Sequence, residues 1–133
     1  MKQHRLTLVV MPLPLSICRL SPHDPIPTWA VSAGFSSVTR TPDELSVVCE
    51  SSFVPREIKR SDGWRALRVR GKFGFEECGI LAAVTTPLAE AGIPILAICT
   101  FDTDYILVKE AHLKAAAREL CAAGHEIESP PAT

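Results

Sequence analysis

The chain has 133 residues, of which 47% are hydrophobic and 6% aromatic. This length suffices for one compact domain or two very small ones, with a core filled mainly by Leu, Ile, Val and Ala. Fourteen Lys and Arg residues against fifteen Asp and Glu residues give a net charge of -1, which supplies no field that concentrates nucleic acid or an anionic membrane.

The first half of the chain predicts strands separated by prolines. The predicted strands are Leu6–Met11, Leu15–Leu20, Trp29–Val31, Phe35–Arg40 and Leu45–Glu50. Proline cannot donate to a strand ladder, so Pro22–Pro27 predicts a loop. Thr41–Glu44 has the residue types of a short helical turn, with an N-capping threonine, then proline, then two acids. The polar segment Ser51–Gly63 predicts a connection, and therefore domains of residues 1–62 and 63–133.

In the second half of the chain, the apolar residues recur with a clearer periodicity. The predicted elements of this half are a strand Trp64–Gly71, a helix from about Cys78 to Gly92, strands Ile93–Thr100 and Tyr105–Val108, a helix Glu110–Ala122 and a strand His125–Glu128. Ile93–Thr100 is almost continuously apolar, which predicts a strand buried on both sides or in the middle of a sheet. Pro87 removes one hydrogen bond to Ala83 and predicts a kink or tighter last turns. The order of elements predicts an α+β, ferredoxin-like fold, with an antiparallel sheet and two helices on one face.

The five cysteines are widely spaced without a CxxC pair, and the four histidines show no paired metal-ligand spacing. We therefore expect free thiols in a reducing cytoplasm, with neither a metal nor a cofactor. The amino terminus is basic and then apolar, as in an export signal, but Pro12 and Pro14 interrupt the apolar stretch. No run approaches the roughly 18 apolar residues of a membrane-spanning helix. These features predict a cytoplasmic protein.

The segment Gly79–Glu110 resembles ACT domains, especially those of small bacterial proteins with two tandem ACT-like units and of eukaryotic cytosolic arginine sensors. It is also similar to the regulatory domains of aspartate kinases. Two pieces carry the resemblance: Gly-Ile at the helix start and TFDTDYILV, residues 100–108. Phe35–Glu50 looks like the end of a first ACT-like unit, before which no comparable helix can be read. The resemblance thus implies two tandem ferredoxin-like (βαββαβ) units, the first of them reduced.

The resemblance further implies a non-catalytic regulatory module that binds a small molecule, an amino acid in particular. Helix-start amides attract anions, so the backbone at Gly79 and Ile80 is expected to hold an α-carboxylate, with Asp104 or Asp102 accepting the ammonium group. A glycine there also lets a ligand approach closely. The complete predicted ligand site is Gly79, Ile80, Thr100, Phe101, Asp102, Thr103 and Asp104, with Ser37 and Val38 of the first unit added by resemblance alone.

Structural roles explain several of these residues equally well. Asp102 and Asp104 suit a tight turn, and Gly79 suits a helix start. An ACT fold kept only for assembly, for example as a homodimer, is therefore a second hypothesis. An enzyme is a third, but the sequence has no nucleophile elbow, phosphate loop or metal motif, so no catalytic residue is assigned.

Overall fold

A computed structural model describes residues 4–32 and 34–129. The strands are β1 Thr7–Val10, β2 Leu15–Leu20, β3 Ser36–Arg40, β4 Leu45–Glu50, β5 Arg60–Val69, β6 Ile95–Cys99, β7 Asp104–Lys109 and β8 Glu126–Glu128. The α-helices are α1 Ile80–Glu90 and α2 Leu113–Ala122, and short 3-10 helices cover Thr28–Val31, Ser51–Phe53 and Glu110–His112. The protein is therefore a mixed α+β structure with strands and two α-helices.

The chain forms two compact units. One, here called the helical unit, combines the residues up to Pro12 with those from Arg65 onward, and the other, the strand unit, is Leu13–Trp64. The predicted domains 1–62 and 63–133 put the residues before Leu13 in the first domain, whereas here they belong to the same unit as the second half of the chain. The reason is that Leu6, Leu8 and Val10 are buried in the core of the helical unit.

The sheet of the helical unit has the order β8-β1-β5-β7-β6. β1 is parallel to β8 and antiparallel to β5, with Leu8 opposite both Ile127 and Val69. Alternate residues of these strands form one apolar core with buried side chains of both helices, including Val84, Leu88, Ala116 and Leu120. From β5 onward the elements follow the predicted order of strand, helix, strand, strand, helix, strand.

The strand unit contains the antiparallel ladder β3-β4-β2, and β2 also pairs with the first residues of β5. Its core is built from buried Cys18, Ala30, Leu45, Val47, Cys49 and Val54. Thr41 closes the β3–β4 hairpin, because its Oγ1 accepts the N–H groups of Asp43 and Glu44. The predicted capping role of Thr41 is confirmed, but residues 41–44 form a bend between two strands rather than a helical turn. The predicted strand at Trp29–Val31 is wrong, because a 3-10 helix follows Pro27 there.

Two further predictions are corrected by strand pairing. β5 begins at Arg60 rather than Trp64, because Arg60 and Ser61 pair with Cys18 and Ile17. The predicted connecting segment therefore ends inside a strand. β6 lies at an edge: within the described residues it pairs only with β7, and its side chains are half-buried or exposed. The neighbouring strand β7 supplies the fully buried residues Ile106, Leu107 and Val108.

Among the helices of the described residues, none combines the length and the apolar character that crossing a bilayer requires.

Candidate ligand-binding site

A cavity of about 600 Å³ lies in the helical unit. Its walls are the loop between β5 and α1, the first turn of α1 and the turn between β6 and β7. The lining residues are Phe73, Gly74, Phe75, Glu77, Gly79, Ile80, Leu81, Ala82, Cys99, Thr100, Phe101, Asp102, Thr103 and Asp104. The structure thus brings together the seven candidate residues that the sequence places in this half of the chain.

The amino end of α1 forms one wall of the cavity. Gly79 is the residue before the helix, with φ +84°, and its carbonyl accepts the N–H of Ala83 at 2.9 Å. The first N–H groups of an α-helix have no acceptor within the helix and carry partial positive charge. Ile80, Leu81 and Ala82 belong to this first turn and line the cavity. This wall therefore suits an anionic group.

The backbone conformation explains why glycine occupies position 79. A Cβ added there meets the ring of His4 at 3.6 Å, which is an ordinary van der Waals contact. Gly79 has a left-handed φ of +84°, which residues with a side chain rarely adopt. Backbone conformation, rather than space for a ligand, is thus the reason for glycine at this position.

The β6–β7 turn forms another wall of the cavity, and the hydrogen bonds of two threonines hold its conformation. Thr100 donates from its N–H and its Oγ1 to the carbonyl of Thr103, at 2.8 and 2.9 Å. The Thr103 N–H donates to Thr100 Oγ1 at 3.2 Å, and the buried Thr103 hydroxyl donates to the Val69 carbonyl at 2.7 Å. Both hydroxyl groups are therefore used to fix the turn, and they hold Asp102 and Asp104 in place.

All charged residues that line the cavity are acidic: Glu77, Asp102 and Asp104. Glu77 and Asp102 are exposed, whereas Asp104 is partly buried. Asp104 lies opposite Cys99 in the β6–β7 ladder. Burial, and then a side-chain hydrogen bond with Asp104, raise the pKa of the Cys99 thiol. Of the three acids, Asp104 is therefore the one best shielded from solvent.

Two phenylalanines lie at the rim of this cavity. Phe75 and Phe101 are each 77% exposed, and their rings meet edge to face with centroids 4.8 Å apart. The backbone N–H of Phe73 donates to the Asp102 carbonyl at 2.8 Å, which joins the β5–α1 loop to the turn. The sequence reasoning missed Phe75 and Cys99. The sequence signals were weak: Phe75 is an apolar residue in the polar segment between Gly74 and Glu76, and Cys99 directly precedes the Thr100–Asp104 turn.

Ser37 and Val38 lie elsewhere. They belong to β3 of the strand unit, opposite Val48 and Val47 of β4, and Val38 packs against the core of that unit. Neither residue lines the cavity described above. Within the described ranges, no group of three or more His, Cys, Asp or Glu side chains is arranged to hold a metal ion.

The fold and this site define the class, an α+β module with a helix start and a hairpin turn facing one cavity. Residues 59–122 match the model of the ACT domain, and residues 15–57 match a second model, which describes an amino-terminal domain. Residues 59–122 of this chain are therefore an ACT domain.

Three relatives illustrate the similarity. The human cytosolic arginine sensor for mTORC1 subunit 1 is 48% identical over 48 residues, which are 35% of this chain and 15% of that protein. The crystal structure of a protein from Agrobacterium tumefaciens is 38% identical, covers 97% of this chain and 96% of that one, and has a TM-score of 0.92. The ligand-free regulatory subunit of Thermus thermophilus aspartate kinase is 12% identical, with coverages of 84% and 93% and a TM-score of 0.58, which shows the fold alone. The chain thus matches only a small part of the arginine sensor.

Proposed function

We propose that this protein binds a free amino acid without catalysing a reaction, as a regulatory or sensor module. One observation carries the proposal: the amino end of α1 and the carboxylate of Asp104 line the same cavity. The cavity volume of about 600 Å³ falls within the range of roughly 300–1,000 Å³ that is typical of small-molecule sites.

The two ends of an amino acid match the two walls. The α-carboxylate accepts hydrogen bonds from the backbone N–H groups at Gly79 and Ile80, where the helix dipole favours negative charge. The ammonium group donates to Asp104, and such a charge-assisted hydrogen bond contributes about 1.5–3 kcal/mol. Phe75 and Phe101 offer apolar surface to the ligand at the rim. No step of this binding needs a metal or a cofactor.

Arginine is the first ligand to test. The human relative, which is 48% identical over a stretch of 48 residues, is described as an arginine sensor. The charged lining residues of the present cavity are all acidic, which favours a ligand with an additional positive charge. Glu77, which is exposed and lies on the β5–α1 loop, is available to such a side chain.

The finer predictions from the sequence remain part of this proposal. The strand unit is then the reduced first unit of a tandem ACT-like pair, whereas Ser37 and Val38 do not line the cavity and are left out of the proposed site. A cytoplasmic location is likewise proposed, since metabolites of this class are sensed there by the named relative.

Assembly is the second candidate function. The edge strand β6 pairs only with β7 among the described residues, so its outer backbone groups are available to another strand. A homodimer with a continuous sheet would use this edge. Its formation is measured by light scattering, and a Pro substitution at Ala97, which is exposed on β6, should abolish it.

Calorimetric titration with L-arginine and the other common amino acids tests the binding proposal. Asp104→Asn should raise the Kd of the bound amino acid by about ten- to a hundredfold. Asp102→Asn is the matched control in the same turn, and its effect should stay below about threefold because Asp102 is exposed. Absence of heat and of any thermal shift with every amino acid would contradict the proposal, as would equal effects of the two variants.

A further inference from the structure

We infer that His4, which lies outside the cavity, is a positioning residue that aims the backbone N–H of Gly79 into it. The inference rests on the proposed function, since it concerns how the same cavity holds a carboxylate. His4 precedes β1 and is far in sequence from α1, so nothing in the local sequence pattern indicates this role.

The contact between the histidine and the helix start is a hydrogen bond. His4 Nε2 lies 2.8 Å from the carbonyl oxygen of Cys78, the residue before Gly79. A carbonyl oxygen only accepts hydrogen bonds, so Nε2 must carry the proton and act as the donor. This fixes the imidazole in the Nε2–H form, or in the fully protonated form, and ties down the Cys78 carbonyl.

The planarity of the peptide group transmits this restraint. Peptide bonds of the described residues are all trans, so the carbonyl of Cys78 and the N–H of Gly79 point in opposite directions. Holding the carbonyl toward His4 therefore holds the N–H away from His4.

The two sides of that peptide face different cavities. A second cavity, of about 890 Å³, is lined by His4, Cys78 and Gly79. The candidate ligand cavity is lined by Gly79 but by neither His4 nor Cys78. Since the carbonyl points to the side of His4, the Gly79 N–H points to the side of the ligand cavity.

Glycine makes the restraint necessary. A residue without a Cβ populates positive and negative φ almost equally, so the Cys78–Gly79 peptide can rotate through half a turn with little steric cost. In the rotated form the carbonyl oxygen, rather than the N–H, faces the cavity and repels a carboxylate. The His4 hydrogen bond stabilises only the form with the donor facing inward. Its ring also lies against Gly79, 3.6 Å from the position of an added Cβ.

Three proteins and two probes separate this role from simple anchoring of the amino-terminal segment. His4→Phe keeps a ring but removes the donor, His4→Gln keeps an N–H donor, and the wild type is the reference. The probes are L-arginine and agmatine, which is arginine without its carboxylate. We expect His4→Phe to raise the Kd of arginine about three- to tenfold and His4→Gln to restore most of the affinity. The Kd of agmatine should be the same for all three proteins.

A purely structural role predicts a different pattern, in which the variants weaken arginine and agmatine equally or change neither. Either result overturns the inference. If the wild type binds no amino acid, the proposed function fails, and a measurement without ligand still decides the role of His4.

That measurement is nitrogen-15 NMR of the free protein at neutral pH. We expect His4 in the Nε2–H form and one sharp Gly79 amide signal in the wild type and in His4→Gln, with exchange broadening or a second signal in His4→Phe. A neutral Nδ1–H form of His4, or an identical sharp Gly79 signal in His4→Phe, would show that the histidine does not orient this peptide.

Discussion

His125 donates a hydrogen bond from Nε2 to the carbonyl oxygen of Ala83 at 2.9 Å. In an unbroken α-helix that carbonyl accepts the N–H four residues later, but here that residue is Pro87, which has none. The other ring nitrogen, Nδ1, accepts the backbone N–H of Leu6 at 3.0 Å. The 5% exposed imidazole thus supplies the missing donor of α1 and links the helix to the segment entering β1.

Removing this imidazole should destabilise the protein. In His125→Leu both the Ala83 carbonyl and the Leu6 N–H lose their partner, and we expect the free energy of unfolding to fall by about 2–4 kcal/mol. Urea unfolding followed by circular dichroism measures this loss. A change below about 0.5 kcal/mol would mean that water or another group replaces the histidine.

A double-mutant cycle tests the link between His125 and Pro87. Pro87→Ala restores an N–H that can donate to the Ala83 carbonyl. This substitution should therefore be more stabilising in the His125→Leu background than in the wild type, with a coupling energy of about 0.5–1.5 kcal/mol. Strictly additive effects would contradict the proposed compensation.

Gly79→Ala should reduce both stability and ligand binding. The φ of +84° costs an alanine about 1–2 kcal/mol. Gly92→Ala is the matched control, because Gly92 follows the same helix with φ +73° and has open space at its Cβ position, yet does not line the cavity. Thermal unfolding should show similar losses for the two variants, whereas calorimetry should show weaker amino-acid binding only for Gly79→Ala.

Thr103→Val should loosen the β6–β7 turn. The variant keeps the shape of the side chain but loses the buried donor to the Val69 carbonyl, at a cost of about 1–3 kcal/mol. Thr103→Ser keeps the hydroxyl and should recover most of the stability. Chemical denaturation of the three proteins checks the order wild type, then Ser, then Val; a serine variant no more stable than the valine variant would exclude the hydrogen bond as the cause.

Stability should fall at alkaline pH because of Cys18. Burial, assisted by the nearby Cys49, raises the pKa of this thiol to about 11, from an ordinary value of 9.0. Between these two values the folded protein keeps the proton and the unfolded chain releases it, so the free energy of unfolding decreases as the pH rises from 9 toward 11. Cys18→Ala should show a shallower decrease over the same window in urea titrations, and identical slopes would contradict this assignment.

The strands and helices of the helical unit could be predicted from the sequence, because the spacing of apolar residues within each element is a local pattern. Ile80, Val84 and Leu88 recur at helical spacing, and all three are buried. The sequence could also place Gly79 and Asp104 near one another, since the element order constrains which loops meet. The edge position of β6 could not be predicted, because its apolar residues resemble those of a central strand, while β1 reaches this sheet from the other end of the chain.

The site details that escaped prediction depend on non-local contacts. The hydrogen bonds from His4 to Cys78 and from His125 to Ala83 join residues 74 and 42 positions apart. The roles of Thr100 and Thr103 in fixing the turn depend on the directions of their hydroxyl groups, which a pattern of residue types does not specify.

A crystal structure of the protein with the amino acid identified by calorimetry tests the central claim most directly. We predict the α-carboxylate about 2.7–3.2 Å from the backbone nitrogens of Gly79 and Ile80, and the ammonium group at the same distance from the Asp104 carboxylate. A ligand bound outside this cavity, or bound in the opposite orientation with its ammonium group at the start of α1, would contradict the account.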